Sequence, residues 1–129
     1  MVTVVGGTAR VSNEAADLMC HALMDAINNA SSPKIDLLDE AGRTVKSLDP
    51  ESVGTHGEIS DGKSYWILQI HIYDDSADEY TFKSVKVRGV KMGNEFVMLY
   101  FTLDNPISKA SSDVLDLYLK YRFVDTFSG

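Results

Sequence analysis

Apolar side chains alternate with a period of two in the last quarter of the chain, and this pattern constrains the fold more than any other feature of the sequence. Such a period places every second side chain on one face of a β-strand. Residues 96–103 predict one such strand, with both faces apolar, so we expect it to be central in its sheet or covered by a helix. The polar residues 103–113 are expected to cross to a second strand as a connector. The inward face of that second strand is predicted to carry Leu115, Leu117, Leu119, Tyr121 and Phe123.

One amphipathic helix is predicted at about residues 12–29. Ser12 is suited to cap it, because a side-chain hydroxyl accepts a hydrogen bond from a free backbone amide, and Glu14 is favourable in the first turn. Cys20 lies on the apolar stripe and is expected to be a core residue. The stripe has the helical spacing i, i+3, i+4 and comprises Ala16, Met19, Cys20, Leu23, Met24 and Ile27.

From residue 34 onward the chain has the pattern of strands separated by turns. A change of phase between Phe82 and Val85 indicates a β-bulge. Residues 47–63 contain four Gly or Pro residues and are expected to form a long surface loop, while the acidic residues 74–79 are expected to form a solvated hairpin tip. Strand character is found in residues 35–38, 43–46, 65–73 and 80–90.

These elements predict an α+β fold. One N-terminal amphipathic helix is expected to pack on an antiparallel β-sheet or β-sandwich of about six strands. The chain has 129 residues, a length that suits a single domain spanning residues 1–129.

The charge balance excludes some classes of partner. Nineteen acidic and twelve basic residues give a net charge of −7, so we expect neither nucleic acid nor an anionic membrane surface as a partner. The single cysteine cannot form an internal disulfide, which fits a reducing compartment. The amino end has no signal-peptide pattern, and no apolar run is long enough to span a bilayer.

The sequence predicts no catalytic, cofactor or metal site. The acidic residues 74–79 lack the ligand spacing of a calcium loop, because the sixth position from Asp74 is Glu79 rather than Gly. Cys20 and His21 are adjacent, and adjacent side chains on a helix diverge. The three histidines have no paired spacing for a metal.

The last quarter resembles a segment of structural proteins of tailed viruses, of the tail-fibre kind. In those proteins an apolar strand is followed by a connector of the form Leu-x-x-Pro-[Ile/Val]-x-Lys-x-Ser and then by an alternating strand. The helix at residues 15–29 and the strand at residues 34–38 are similar as well, so that the resemblance covers about half of the chain. Within residues 96–123 it is carried by Leu103, Pro106, Ile107, Lys109, Ser111, Ser112, Leu115 and Leu117.

The resemblance implies self-assembly and supplies no catalytic residues. The expected function is that of a non-enzymatic viral structural or assembly protein that associates with itself through its β-sheet. Its partners would be copies of itself and other virion proteins, in the virion or in the host cytoplasm. We expect the contact surface to include Tyr118, Lys120 and Arg122 on the outward face of the last strand.

Two alternatives remain open. The first is a small β-module that binds a ligand, either a sugar or a host protein, with His56 and Tyr73 at the rim of the site. The second is a hydrolase that uses His56 with an acidic partner.

Overall fold

One helix and seven strands follow each other along the chain in the computed structural model, which describes residues 5–6 and 9–128 and, for residues 124 and 125, the backbone only. No described helix combines the length and the apolar character needed to cross a membrane. The elements are α1 (Asn13–Asn28), β1 (Ile35–Leu38), β2 (Thr44–Leu48), β3 (Ser52–Ser60), β4 (Lys63–Asp74), β5 (Tyr80–Lys91), β6 (Asn94–Lys109) and β7 (Leu115–Thr126).

The helix begins where its capping residue predicts. The Ser12 hydroxyl oxygen accepts a hydrogen bond from the backbone amide of Ala15 at 3.1 Å, and Glu14 lies in the first turn. Ala16, Cys20 and Ile27 are buried, and Leu23 and Met24 are partly buried against the core, so most of the predicted stripe is confirmed. Met19 lies at the margin of this face and is about half exposed.

The strands form two antiparallel sheets, one with the order β2-β1-β5-β6 and one with the order β3-β4-β7. The predicted α+β fold is therefore confirmed, with seven strands instead of about six. Side chains from both sheets meet in one core, and α1 packs on β3, β4 and β5 at the side of it. The buried core includes Cys20, Ile27, Ile35, Leu37, Leu68, Ile70, Ile72, Phe82, Val85 and Val87.

The predicted surface loop at residues 47–63 is wrong, because most of it is strand β3. Gly54 and Gly57 suggested breakers, but both lie in regular register with β4. Gly57 is paired with Trp66, and a Cβ atom at Gly57 would lie 3.1 Å from the indole ring. The glycine therefore admits the large side chain of its cross-strand neighbour, which the local sequence does not reveal.

The expected position of the strand at residues 96–103 is also wrong. It belongs to β6, which is an edge strand of the four-stranded sheet, and α1 lies over β3, β4 and β5 instead of over β6. Most of the predicted connector is strand as well: β6 continues to Lys109, and a turn at residues 110–114 leads into β7. The chain can continue as strand because the register with β5 shifts at two places, at Met98 and at residues 103–106, and resumes after each.

The larger of these two shifts is a four-residue bulge in β6. Thr102 pairs with Ser84 and Ile107 pairs with Phe82, so residues 103–106 oppose Lys83 alone. The Lys83 ammonium group donates hydrogen bonds to the carbonyl groups of Leu103 and Asp104 and thereby holds the bulge. The predicted irregularity between Phe82 and Val85 is confirmed, although the additional residues belong to the partner strand.

Candidate functional site

The three predicted interface residues lie together on the outward face of β7. Each is engaged by a neighbour in the same sheet. The Tyr118 ring stacks on His71 with the centroids 4.3 Å apart, and the Arg122 guanidinium lies 5.6 Å from the centre of the Tyr65 ring. The Lys120 ammonium group donates a hydrogen bond to a Glu58 carboxylate oxygen at 2.8 Å.

Glu58 connects two of the predicted site residues. The Oε1 atom that accepts from Lys120 also lies 2.9 Å from Nε2 of His56. The hydrogen bond from Lys120 and the contact with His56 lower the pKa of Glu58 to about 2, because both favour the ionised carboxylate. This group links β3 to β7 across the outer face of β4.

The structure does not bring His56 and Tyr73 together. His56 pairs with Ile67 on β4, and Tyr73 lies six residues further along that strand, a distance of roughly 20 Å. Tyr73 instead contacts the edge of the His71 ring, whose Nε2 is 2.6 Å from Asp116 Oδ1. A single ligand rim made of His56 and Tyr73 would therefore have to extend along most of β4.

The predicted solvated tip at residues 74–79 is a turn, but one end of it is buried. Asp74 accepts a hydrogen bond from the Tyr80 hydroxyl at 2.6 Å and another from the Ser76 amide at 2.9 Å. Burial raises the pKa of Asp74, but the hydrogen bonds from Tyr80 and Ser76 outweigh it and lower that pKa to about 2.

Two lysines complete this turn. Lys46 pairs with Asp78, and the buried Lys109 donates to the carbonyl groups of Ser76 and Asp78. Lys46 therefore balances the charge of Asp78 and Asp74, and Lys109 satisfies two backbone carbonyl groups of the turn. The arrangement is that of a structural network that fastens β2, β6 and the β4–β5 turn together.

The predicted core position of Cys20 is confirmed, since its side chain is fully buried. Burial, and the nearby Asp17 carboxylate, raise the pKa of the thiol to about 11, so the nucleophilic thiolate is disfavoured at neutral pH. In residues 5–6 and 9–128 no group of three or more His, Cys, Asp or Glu side chains is placed to hold a metal ion.

The surface that the sequence interpretation missed is the side of the sandwich between β6 and β7. These are edge strands of the two different sheets, and the short turn at residues 110–114 places them on the same side of the core. The inward apolar side chains of β6 pack on the core but are only partly buried, and on β7 Leu117 and Phe123 are partly buried while Leu115 and Leu119 are buried. We call this strip the open side; it comprises Leu99, Phe101, Leu103, Leu117 and Phe123.

The outer margin of the open side is apolar as well. Phe96, Val97 and Tyr100 of β6 are about half exposed, at 43%, 52% and 54%. A signal for this surface was present in the sequence, because residues 96–103 contain no charged residue, proline or glycine. An exposed apolar edge strand of this kind favours association with another chain.

No protein-family model, no curated protein and no solved structure matches the chain.

Proposed function

We propose that the chain is a non-enzymatic structural or assembly module that associates with copies of itself through the open side. The observation that carries this proposal is the incomplete burial of the apolar strip between β6 and β7. Removing such surface from water stabilises an association by about 25 cal/mol for each Å² of apolar area. A second copy that packs against the open side would shield this apolar surface from water.

The distribution of charge favours the open side, more than the rest of the surface, as the contact between copies. Each copy carries a net charge of −7, so two copies repel each other over most orientations. Residues 96–103 contribute no charge to that repulsion. Tyr118, Lys120 and Arg122, by contrast, are engaged by neighbours within the chain, and an interface there would have to replace those contacts.

The viral setting of this proposal derives from the resemblance alone. It rests on the short motif within residues 103–117, which spans the end of β6, the turn and the start of β7. Under this proposal the chain is a component of a virion of a tailed virus or an assembly factor for one, and its partners are copies of itself and other virion proteins.

The test is the solution mass of the protein by sedimentation at concentrations from about 1 to about 300 micromolar. We expect association in the wild type, and we expect added salt to strengthen it, because salt screens the repulsion between acidic chains. An interface based on Lys120 and Arg122 would weaken in salt. A monomer across the whole range would overturn the proposal.

A matched pair of variants locates the contact. Val97→Lys places a charge on β6, and Val114→Lys places the same charge in the turn before β7, where the original side chain is exposed to a similar degree (54% against 52%). We expect V97K to raise the dissociation constant at least tenfold and V114K to leave it within about twofold. Equal effects of the two variants would exclude β6 from the contact.

A further inference from the structure

β5 is the most basic element of an acidic chain. The chain as a whole has a net charge of −7. β5 nevertheless carries four of the twelve basic residues and none of the nineteen acidic ones: Lys83, Lys86, Arg88 and Lys91. A local concentration of one sign of charge attracts partners of the opposite sign.

The outward face of the four-stranded sheet presents two of these cations beside an exposed aromatic ring. Side chains two residues apart on a strand share a face, so Lys86 and Arg88 point outward together with Ser84. Tyr100 of β6 pairs with Lys86 in register, and its hydroxyl lies 3.0 Å from Ser84 Oγ, which places the ring on the same face. The Tyr100 side chain is about half exposed. We call the surface formed by Lys86, Arg88 and Tyr100 the basic face.

The cations of the basic face are not fully used by the chain itself. Asp36 of β1 pairs with Lys86 in register, but its carboxylate accepts a hydrogen bond from the Arg88 guanidinium group at 2.8 Å. The Lys86 ammonium group makes no hydrogen bond or ion pair with the part of the chain that the structure describes. Arg88 retains donors as well, because a guanidinium group has several N–H groups and its Nε has no partner among the described residues.

We infer that the basic face binds an extended acidic segment of a partner protein, with carboxylates at alternate positions of that segment. Residues two positions apart in an extended chain are separated by roughly 7 Å and lie on one face. Lys86 and Arg88 therefore have the same spacing as two carboxylates at positions i and i+2 of the segment. Tyr100 adds apolar contact area beside the charges, and Tyr and Arg are residue types enriched in protein interfaces.

The occupant is another protein and not a second copy of this chain. In the whole sequence a single pair of acidic residues is separated by two positions, Asp49 and Glu51. The Asp49 carboxylate already accepts hydrogen bonds from the Ser32 hydroxyl at 2.7 Å and from the Lys34 amide at 3.2 Å. A second copy therefore has no unoccupied segment with the required spacing of carboxylates.

An acidic protein segment also fits the basic face better than nucleic acid. Nucleic-acid binding gains its affinity from many phosphate contacts along a continuous strand. The basic face offers two cations, and one of them already shares its charge with Asp36. The net charge of −7 further opposes the approach of a long polyanion. Two cations suit a short segment with two or three carboxylates.

A synthetic peptide tests the inference. The probe is a short fluorescent peptide in which glutamate and threonine alternate, and its matched control has glutamine in place of each glutamate. Fluorescence anisotropy is followed as the full chain is added. We expect the acidic peptide to bind with a dissociation constant of about 10–100 micromolar, and the control peptide to bind at least tenfold more weakly. Added salt should weaken this binding, because it screens attraction between opposite charges.

A matched pair of variants locates the contact. Lys86→Glu reverses the charge at the middle of the basic face, and Lys63→Glu makes the same change at an exposed position of the other sheet. We expect K86E to raise the dissociation constant of the acidic peptide at least about tenfold and K63E to leave it within about twofold. Lys86→Arg keeps the charge and should retain binding. Circular dichroism verifies the fold of each variant.

Four results would overturn the inference. They are equal effects of K86E and K63E, equal binding of the two peptides, no binding of the acidic peptide at millimolar concentration, and a thymidine oligonucleotide that binds more tightly than the acidic peptide at the same salt concentration. The last result would assign the basic face to nucleic acid. None of the four bears on the proposed function, because self-association is tested by the solution mass of the protein without peptide and has the opposite dependence on salt.

Discussion

β5 and β6 are neighbours in one sheet, yet the inward side chains of β5 are much more deeply buried than those of β6. Phe82, Val85 and Val87 of β5 are fully buried between the two sheets. The inward residues Leu99 and Phe101, which lie opposite Val87 and Val85 on β6, are only partly buried. The period-two pattern is similar in both strands, so alternation indicates which side chains face inward but not how completely they are covered.

The largest expected difference between the two strands is the cost of removing a ring. Phe82→Ala should lower the free energy of unfolding by about 3–5 kcal/mol, because it leaves a cavity in a fully enclosed site. Phe96→Ala on the half-exposed part of β6 should cost about 1 kcal/mol or less. Chemical denaturation of dilute protein measures both, and equal costs would show that β6 is covered as well as β5.

This difference also marks how far the sequence predicts the fold. Ser12, with the stripe ending at Ile27, predicted the helix because capping and amphipathic spacing are local properties. β3 was missed because Gly57 accommodates Trp66 from another strand, a contact that no local pattern contains. Residues 96–103 of β6 were expected at the centre of a sheet or under the helix, because their apolar composition indicates that both faces are covered. Composition does not distinguish coverage by the same chain from coverage by a second chain.

For the candidate surfaces, too, the sequence predicts what is local and misses what depends on strand order. Alternation placed Tyr118, Lys120 and Arg122 on one outward face, and the structure agrees on that face. Their engagement by Glu58, Tyr65 and His71 depends on strand order, which the sequence did not supply. The open side depends on it too, since β6 and β7 become edges only when the order of both sheets is known.

A smaller difference in stability is expected when one tyrosine hydroxyl is removed from each strand. The Tyr80 hydroxyl donates to the buried Asp74 at 2.6 Å, whereas the Tyr100 hydroxyl on β6 lies 3.0 Å from Ser84 Oγ and is part of a half-exposed side chain. Tyr80→Phe should cost about 1–3 kcal/mol because it leaves a buried carboxylate short of a partner, and Tyr100→Phe should cost less than about 1 kcal/mol. Thermal unfolding of the two variants compares them directly, and a larger loss for Y100F would contradict the contrast.

The smallest expected effect is a dependence on pH that originates at Asp74, the last residue of β4, whose carboxylate is bound by Tyr80 at the start of β5. The pKa of Asp74 is about 2 in the folded chain, below its usual value of 3.8, so the folded state binds a proton less readily than the unfolded state. The stabilisation is present above about pH 4 and is lost as the pH falls towards 2. We expect the melting temperature of the wild type to fall over this interval.

Two substitutions separate the buried carboxylate from the exposed one. Asp74→Asn should be less stable than the wild type at pH 6 and should lose less on acidification. Glu58→Gln should change stability in the same direction, since the pKa of Glu58 is lowered to about 2 as well, but both the loss at pH 6 and the flattening of the acid limb should be smaller, because solvent screens its partly exposed ion pair. An unchanged acid limb in D74N would exclude this carboxylate as a source of the pH dependence.

The bulge that Lys83 holds in β6 has a consequence for the size of any assembly. It interrupts the edge of the sheet for four residues, and the register also shifts at Met98. A strand added along this edge would lose its pairing at both places, so an unbroken run of strands from chain to chain, as in a fibril, is hindered here.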